Sequence, residues 1–286
     1  MNEKTTRADY LPIDKLHPFA DHPFQVKDDD QMEQLVWSIL SQGVMTPIIV
    51  RPMGDGEYEV VSGHRRVHAC TKAGIDTIPA LIYSLDRDAA AIALVDSNLH
   101  REHILPSEKA FAYKMKLDAM NRRGQRSDLT SSQVATKLDT AAQIGKAQGE
   151  SRDKVYRYIR LTYLIPEILT KVDNGEIAMS PAVEMSCLTE AEQYTLLDAM
   201  EQNDCTPSHA QAIRMKKLSQ QGQLPEDMIY TIMEEEKPNQ KEQIRLPRAD
   251  FRKYFPPGYP EAKIRQDIEK ALELLMRQRQ RSRDAR

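Results

Sequence analysis

The sequence predicts an α+β protein, with a small mixed α/β unit at the N-terminus, an all-α unit behind it and a short helical segment at the C-terminus. Three observations predict this arrangement. Strand and helix patterns alternate over residues 11–82, helical periodicity dominates residues 88–215, and a last amphipathic stretch covers residues 259–279. At 286 residues the chain also exceeds the usual size of a single core. We expect two domains, a linker and a C-terminal segment, at residues 1–104, 105–218, 219–250 and 251–286 respectively.

The N-terminal pattern begins with a helix at residues 31–40, where apolar residues recur at helical spacing. The apolar run 47–50 and the alternating run 58–61 flank a glycine-containing turn, so they predict a β-hairpin. A second helix follows Gly63, and residues 78–82 have the pattern of a further strand.

The composition excludes several classes of protein. With 40% hydrophobic and 29% charged residues the chain is expected to fold, and it has neither an export signal nor an apolar run long enough to span a membrane. A net charge of -3 excludes a uniformly basic surface but not local basic patches. The three cysteines are too widely spaced for a disulfide framework or a metal knuckle, and we interpret them as buried apolar residues: Cys70, Cys187 and Cys205.

The junction at Gly63 has the chemistry of an anion cradle. A strand delivers this glycine to the first turn of a helix, and Arg65 and Arg66 follow. Helix-start N–H groups carry partial positive charge, and arginine forks match phosphate oxygens. Taken alone the motif is short, and both arginines could equally be surface charges. His64 and His68 have metal-ligand spacing, but no third ligand accompanies them, so we do not predict zinc.

Residues 140–160 have the spacing of a helix-turn-helix. Thr140 is expected to cap the first helix, Gly145 to allow a close helix crossing, Gly149 to form the turn and Ser151 to cap the second helix. Residues 143–171 contain six basic and three acidic residues. An ordinary helical hairpin with solvated charges is the alternative. The candidate DNA contacts are Gln143, Ser151, Arg152, Lys154, Tyr156 and Arg157, of which the last is expected at phosphate.

The order of these motifs resembles the ParB-type partition family. The hairpin followed by Gly63, Arg65 and Arg66 is similar to that family's first box, and residues 22–27 are similar to its Asn-Pro-x-Gln-Pro-Arg stretch. Residues 98–110 are similar to its second box, and the resemblance covers residues 10–200.

The resemblance implies a ParB/sulfiredoxin-like N-terminal fold that binds CTP with Mg²⁺. It implies the following nucleotide contacts: Gln25, Gly63, His64, Arg65, Arg66, Asn98 and Arg101. Asn98 is also the implied Mg²⁺ ligand. The family's glutamate before this asparagine is Ser97 here, with Asp96 one residue earlier, so we expect weak CTP hydrolysis or none and assign no catalytic residue.

The expected function is that of a homodimeric, CTP-switched clamp on double-stranded DNA that serves segregation of a plasmid, mobile element or chromosome. The resemblance also implies a ParA-type ATPase as a partner and a cytoplasmic location on the nucleoid or a plasmid, with no membrane partner. The alternatives are a transcriptional regulator of the same fold, or an enzyme such as a nuclease. A sulfiredoxin-like reaction is disfavoured because no cysteine lies in the Gly63 turn.

Two segments leave questions open. The C-terminal helix carries an apolar stripe, which favours pairing with a second copy, and ends in a basic tail suited to DNA or to solvent. The segment 121–139 is longer than in compact relatives, and the sequence does not settle whether residues 131–138 form an extra helix.

Overall fold

The computed structural model describes residues 6–101, 103–127 and 133–235, together with eight residues between 255 and 271. The chain divides into two units, Met1–Glu235 and Glu236–Arg286. All elements below belong to the first unit. Most of the expected C-terminal helix and its basic tail lie outside the described residues.

A five-stranded mixed sheet forms the N-terminal part, in the order β1-β5-β3-β4-β2. The β3–β4 pair is the predicted antiparallel hairpin, and β5 pairs with β3 in parallel and with β1 antiparallel. The two edge strands, β1 and β2, are additions to the predicted pattern. The strands are β1 (Thr6–Pro12), β2 (Leu16–Pro18), β3 (Ile48–Gly54), β4 (Glu57–Ser62) and β5 (Thr77–Tyr83).

Two helices pack on this sheet: α1 (Asp30–Gln42) and α2 (His64–Lys72). Asp29 caps α1 by accepting a hydrogen bond from the Met32 amide, and Gly43 ends it with a φ of 71°. Met32 and Ile39 of α1 and the buried faces of β3, β4 and β5 share one apolar core. The predicted α/β pattern of this region is confirmed.

The remainder of the described unit is helical. Its elements are α3 (Arg87–Asn98), α4 (Pro106–Ser127), α5 (Gln133–Ala147), α6 (Arg152–Arg160), α7 (Pro166–Asp173), α8 (Met179–Met185), α9 (Glu190–Gln202), α10 (His209–Gln220) and α11 (Glu226–Glu234). Helix α11 lies within the segment expected as a linker, and its Ile229, Ile232 and Met233 are buried against the neighbouring helices.

A second apolar core joins the sheet region to the helices. Phe19, Phe24 and Val61 of the sheet region are buried in one cluster with residues of α3, α4, α5 and α6. A third cluster buries the start of α4 with α7–α11. The sheet and the helices α5 and α6 are therefore positioned by a common interior, to which α3 and α4 contribute.

Candidate nucleotide cradle and DNA interface

Gly63 makes the turn from β4 into α2 and is the N-cap of that helix, with a left-handed φ of 104°. A Cβ at this position would lie 2.7 Å from the Cγ2 atom of Ile48, which is fully buried. Only glycine satisfies both the backbone angle and the space. The sequence therefore brings the first turn of α2, with its free amide groups, close to the end of β4, as an anion cradle requires.

Arg66 is tied to the loop before β3. Its Nη1 donates to the carbonyl of Thr46 and, at 2.6 Å, to the carbonyl of Pro47. Burial lowers the pKa of this guanidinium. Arg66 thus fixes the loop at the start of β3 beside Gly63, and these bonds use one of its two terminal nitrogens.

Arg65 and Arg101 supply the other positive charges of the cradle. Arg65 lies 3.4 Å from the carboxylate of Asp29, a long contact between partly exposed groups. The Arg101 guanidinium lies 5.5 Å from the centre of the Phe24 ring. Burial lowers the pKa of Arg101, the charge of Glu108 opposes this shift, and the positive charge of Arg65 adds to it.

Two histidines that the sequence interpretation did not pair lie against each other in the same region, with an angle of 52° between their rings. The rings of His22 and His64 have centroids 3.9 Å apart, and the Nε2 atom of each is buried with no hydrogen-bond partner among the described residues. Burial, with the charges of His22 and Arg101, lowers the pKa of His64 to about 3. His22 Nδ1 donates to the Phe24 carbonyl at 2.6 Å, so its Nε2 is left as an acceptor. Burial lowers the pKa of His22 as well, so both shifts favour the neutral imidazole.

Glu108 ties the loop before α1 to the start of α4. Its carboxylate accepts from the backbone amides of Gln25, at 2.8 Å, and Leu105, at 3.1 Å. Gln25 is thereby placed beside the cradle through its backbone, while its side chain is exposed. Glu108 lies in the motif that resembles the family's second box, but Gln25 is 83 positions away in the sequence, so the motif did not indicate this contact.

The end of α3 holds the expected metal ligand. Asn98 is buried, and its amide nitrogen donates to the Leu94 carbonyl at 2.8 Å. Asp96 forms an ion pair with buried Lys116, and Ser97 Oγ donates to the Leu94 carbonyl at 2.9 Å. Within the described part of the chain, no cluster of three or more His, Cys, Asp or Glu residues could hold a metal ion.

The helix-turn-helix spacing is confirmed by α5 and α6, with one correction. Ile144 and Val155 are buried, and a Cβ on Gly145 would lie 2.6 Å from the Glu150 carbonyl oxygen. The prediction that Thr140 caps the first helix is wrong, because α5 begins at Gln133 and Thr140 lies buried within it. No glycine or proline interrupts residues 133–140, so the helix continues upstream.

Ser151 caps α6 as predicted, accepting a hydrogen bond from the Lys154 amide at 3.2 Å. Ser151, Arg152, Lys154 and Gln143 are exposed. Arg157 is exposed as well and donates to Ser180 Oγ at 2.8 Å. Tyr156 is half-buried and packs against the second apolar core, so the candidate DNA contacts differ in how much of each side chain is accessible.

Glu150, in the turn before α6, is a contact centre that the sequence interpretation missed. Its carboxylate accepts from Lys109 at 2.7 Å and Tyr113 at 2.8 Å, both on α4, and it pairs with Lys154 of α6 at 2.9 Å. Burial alone would raise the pKa of Glu150, but the hydrogen bonds from these three groups lower it. The turn is therefore held against α4.

Comparison with known proteins agrees with this geometry. The ParB N-terminal domain model matches residues 1–99. A probable chromosome-partitioning protein ParB of Pseudomonas putida is 36% identical over 185 residues, covering 64% of this chain and 58% of that protein. The nucleoid occlusion protein of Listeria innocua is 34% identical over 205 residues, covering 71% of this chain and 66% of that protein. The chromosome-partitioning protein Spo0J of Thermus thermophilus is 31% identical over 205 residues, covering 71% of this chain and 69% of that protein. The chain belongs to the ParB family.

This ParB family member spans about three fifths of the length of the Pseudomonas protein. No helix in its described ranges is both long and apolar enough to cross a membrane.

Proposed function

We propose that the chain is a sequence-specific DNA-binding protein of partition type, with α6 as the helix that enters the major groove. The observation that carries the proposal is the start of α6: Ser151 caps it, Arg152 is exposed beside that cap, and Glu150 holds the preceding turn against α4. Residues at the N-terminal end of such a helix reach base edges, and cations further along meet phosphate. Ser151, Arg152 and Lys154 are the first candidates for base contact, with Gln143, Tyr156 and Arg157 around them.

The test is chromatin immunoprecipitation of the full chain, followed by sequencing. We expect a broad enriched domain around a specific site, as for a clamp that spreads along DNA, and loss of that enrichment in Arg152→Ala. Arg87→Ala, an exposed arginine on α3, is the matched control and should keep it. A sharp peak without flanking signal would replace the clamp with a transcriptional regulator, and no enriched locus would refute the proposal.

A second candidate is nucleoid occlusion, favoured by the similarity to the Listeria protein of that name. The same sequencing data separate the two functions. A partition protein marks the replicon that it moves, so its sites should cluster, whereas a protein that reports the bulk of the nucleoid needs sites dispersed over the chromosome.

The proposal includes nucleoside triphosphate binding at the cradle, with CTP as the nucleotide implied by the family resemblance. Gly63 allows the tight turn from β4 into α2, Arg65 and Arg66 follow it in the first turn of that helix, and Arg101 adds a third positive charge. The unpartnered Nε2 atoms of His22 and His64 are buried polar groups that a ligand could satisfy. The residues present therefore fit the group.

Asn98 is the residue that would offer an oxygen ligand to Mg²⁺, which prefers oxygen and would neutralise phosphate charge. Its amide nitrogen is already bonded within α3, so its oxygen is the atom left for a ligand. Asp96 is paired with Lys116 and does not replace the family glutamate at position 97, so we expect slow CTP turnover or none. Cys70 is fully buried, and burial raises the pKa of its thiol, which argues against thiol chemistry at this site.

Nucleotide titration tests this part. CTP should bind more tightly than ATP, GTP or UTP, and Arg65→Ala should weaken it by roughly tenfold, the loss of about one charge-assisted contact. Arg87→Ala should bind like the natural chain. Equal weak binding of all four nucleotides, unchanged in Arg65→Ala, would leave a DNA-binding protein without a nucleotide switch.

Two partners are proposed from the resemblance. A homodimer would present two α6 helices to a two-fold site, and sedimentation of the full chain measures its mass. A ParA-type ATPase would be the partner that moves the DNA. Residence on the nucleoid or a plasmid follows from the proposed DNA binding.

A further inference from the structure

We propose that Glu150 is a specificity-determining residue, which pairs with Lys154 and so holds it back from non-specific contact with DNA phosphates. The inference rests on the proposed DNA binding by α6 and deepens it. Its starting point is the position of Glu150 in the turn, one helical turn before Lys154.

The carboxylate of Glu150 is enclosed and has three donors. Its side chain is 9% exposed, whereas that of Lys154 is 53% exposed. Lys109 is fixed separately, because its ammonium also lies 4.8 Å from the centre of the Tyr158 ring and 5.7 Å from that of Tyr113. Lys154 is therefore the exposed member of the cluster. Its partner Glu150 is buried and is fixed in position by Lys109 and Tyr113.

Arg152 and Lys154, the two cations near the start of α6, differ in the strength of their ion pairs. Arg152 pairs with Asp153 at 3.1 Å, but Asp153 is 78% exposed, and such surface pairs are weak and screened. The partner of Lys154 is buried, so screening is smaller and the pair is stronger. Hydrogen bonding to Glu150 raises the pKa of Lys154, so this ammonium stays charged and paired.

The pairing has a consequence for recognition. A free lysine at a DNA surface neutralises a phosphate and releases counterions whatever the sequence. A lysine already paired with a buried carboxylate gains less there, yet its remaining N–H groups can still donate to an acceptor on a base edge. Glu150 would thereby lower affinity for random DNA and leave the directional contact intact.

The experiment measures binding of the full chain to a random-sequence duplex between about 50 and 200 mM salt, where the slope of log K against log salt counts phosphate contacts at about 0.9 each. A random duplex offers Arg152 no specific base, so its charge meets phosphate there, and we expect Arg152→Met to reduce the slope by about 0.9. Lys154→Met should change the slope by less than a third of that. Glu150→Gln should increase the slope by about 0.9, and Glu150→Gln with Lys154→Met should restore the natural value.

Two results would overturn the inference. One is a loss of slope in Lys154→Met equal to that in Arg152→Met, and the other is an increase in Glu150→Gln that persists when Lys154 is also replaced. If Glu150→Gln fails to fold, judged by circular dichroism, the comparison of Lys154→Met with Arg152→Met decides alone. A natural chain that binds no duplex at any of these salt concentrations would instead refute the proposed DNA binding itself.

Discussion

The cradle at the start of α2 differs from the helix-turn-helix formed by α5 and α6, called the reader below, in whether its polar atoms have hydrogen-bond partners. In the reader, Ser151 caps a helix, Glu150 has three donors and Arg157 is bonded to Ser180. In the cradle, two imidazole nitrogens are buried and have no partner in the part of the chain that the structure describes. The polar groups named in the reader are hydrogen-bonded or ion-paired without a ligand. The buried polar atoms of the cradle lower the free energy of unfolding, and a ligand that bonded them would remove this cost.

The largest loss of stability is expected from a substitution at the point where α5 crosses the start of α6. Gly145→Ala would place a Cβ 2.6 Å from the Glu150 carbonyl oxygen and 3.2 Å from the Ser151 carbonyl carbon, and backbone cannot yield as a side chain can. We expect the free energy of unfolding to fall by about 3 kcal/mol, measured by urea denaturation. Gly149→Ala is the control: its φ is +66°, but nothing lies within 4 Å, so a loss of about 1 kcal/mol is expected. Equal losses would show that the close crossing is not the constraint.

Gly63→Ala tests the cradle in the same way. A Cβ there meets Ile48 at 2.7 Å and the end of the Arg66 side chain at 3.1 Å, in a left-handed conformation. We expect a loss of about 2 kcal/mol, because part of the obstruction is a side-chain end that can move. The natural chain should also gain thermal stability on addition of CTP, and the variant should not. Gly74→Ala, with φ +69° and open space, should keep that gain.

The pH dependence of stability sharpens the comparison further. His64 has a pKa of about 3 in the folded chain and an ordinary value of 6.5 when unfolded. Between these values the unfolded chain binds more protons, so stability falls as the pH is lowered from 6.5 towards 3. At about 1.4 kcal/mol for each pH unit, the loss between pH 7 and pH 5 should be roughly 2 kcal/mol. In His64→Gln the decline should be shallower; an unchanged decline would exclude this imidazole as its source.

The smallest effect concerns the cap of α6. Ser151→Ala removes the acceptor for the Lys154 amide and should cost about 1 kcal/mol in urea denaturation. Ser41→Ala, an exposed serine at the end of α1 that does not cap a helix N-terminus, should change stability by a few tenths of a kcal/mol at most. A similar cost in both variants would contradict the capping role.

The sequence predicted the features that depend on residues close together in the chain. Gly145, Gly149, Ser151 and Val155 act on one another within eleven residues, so their spacing alone predicts the reader. The cap at Thr140 was wrong because no local signal marks where a helix of permissive residues begins. Edge strands β1 and β2 lack a continuous apolar run, since one side of each is unpaired and much of it is exposed.

The contacts that the sequence did not indicate join residues far apart in the chain. Glu108 bonds the Gln25 amide, Glu150 bonds Lys109 and Tyr113, and the His22 ring lies against that of His64, across separations of 37 to 83 residues in the bonded pairs. Such pairs form only after the helices have packed. The sequence therefore shows that a motif contains an acidic side chain, but it does not show which distant residue that side chain will bind.

The shared interior of Phe19, Phe24 and Val61 with α3–α6 bears on how such proteins diversify. A recombination event in the loop before α4 would leave each half with an uncovered apolar face, so a new reader cannot simply be spliced behind an old cradle. Ile144 and Val155 are buried in this interior, whereas the exposed residues of α6 are not, so substitutions on the exposed face can alter DNA contacts without uncovering either half.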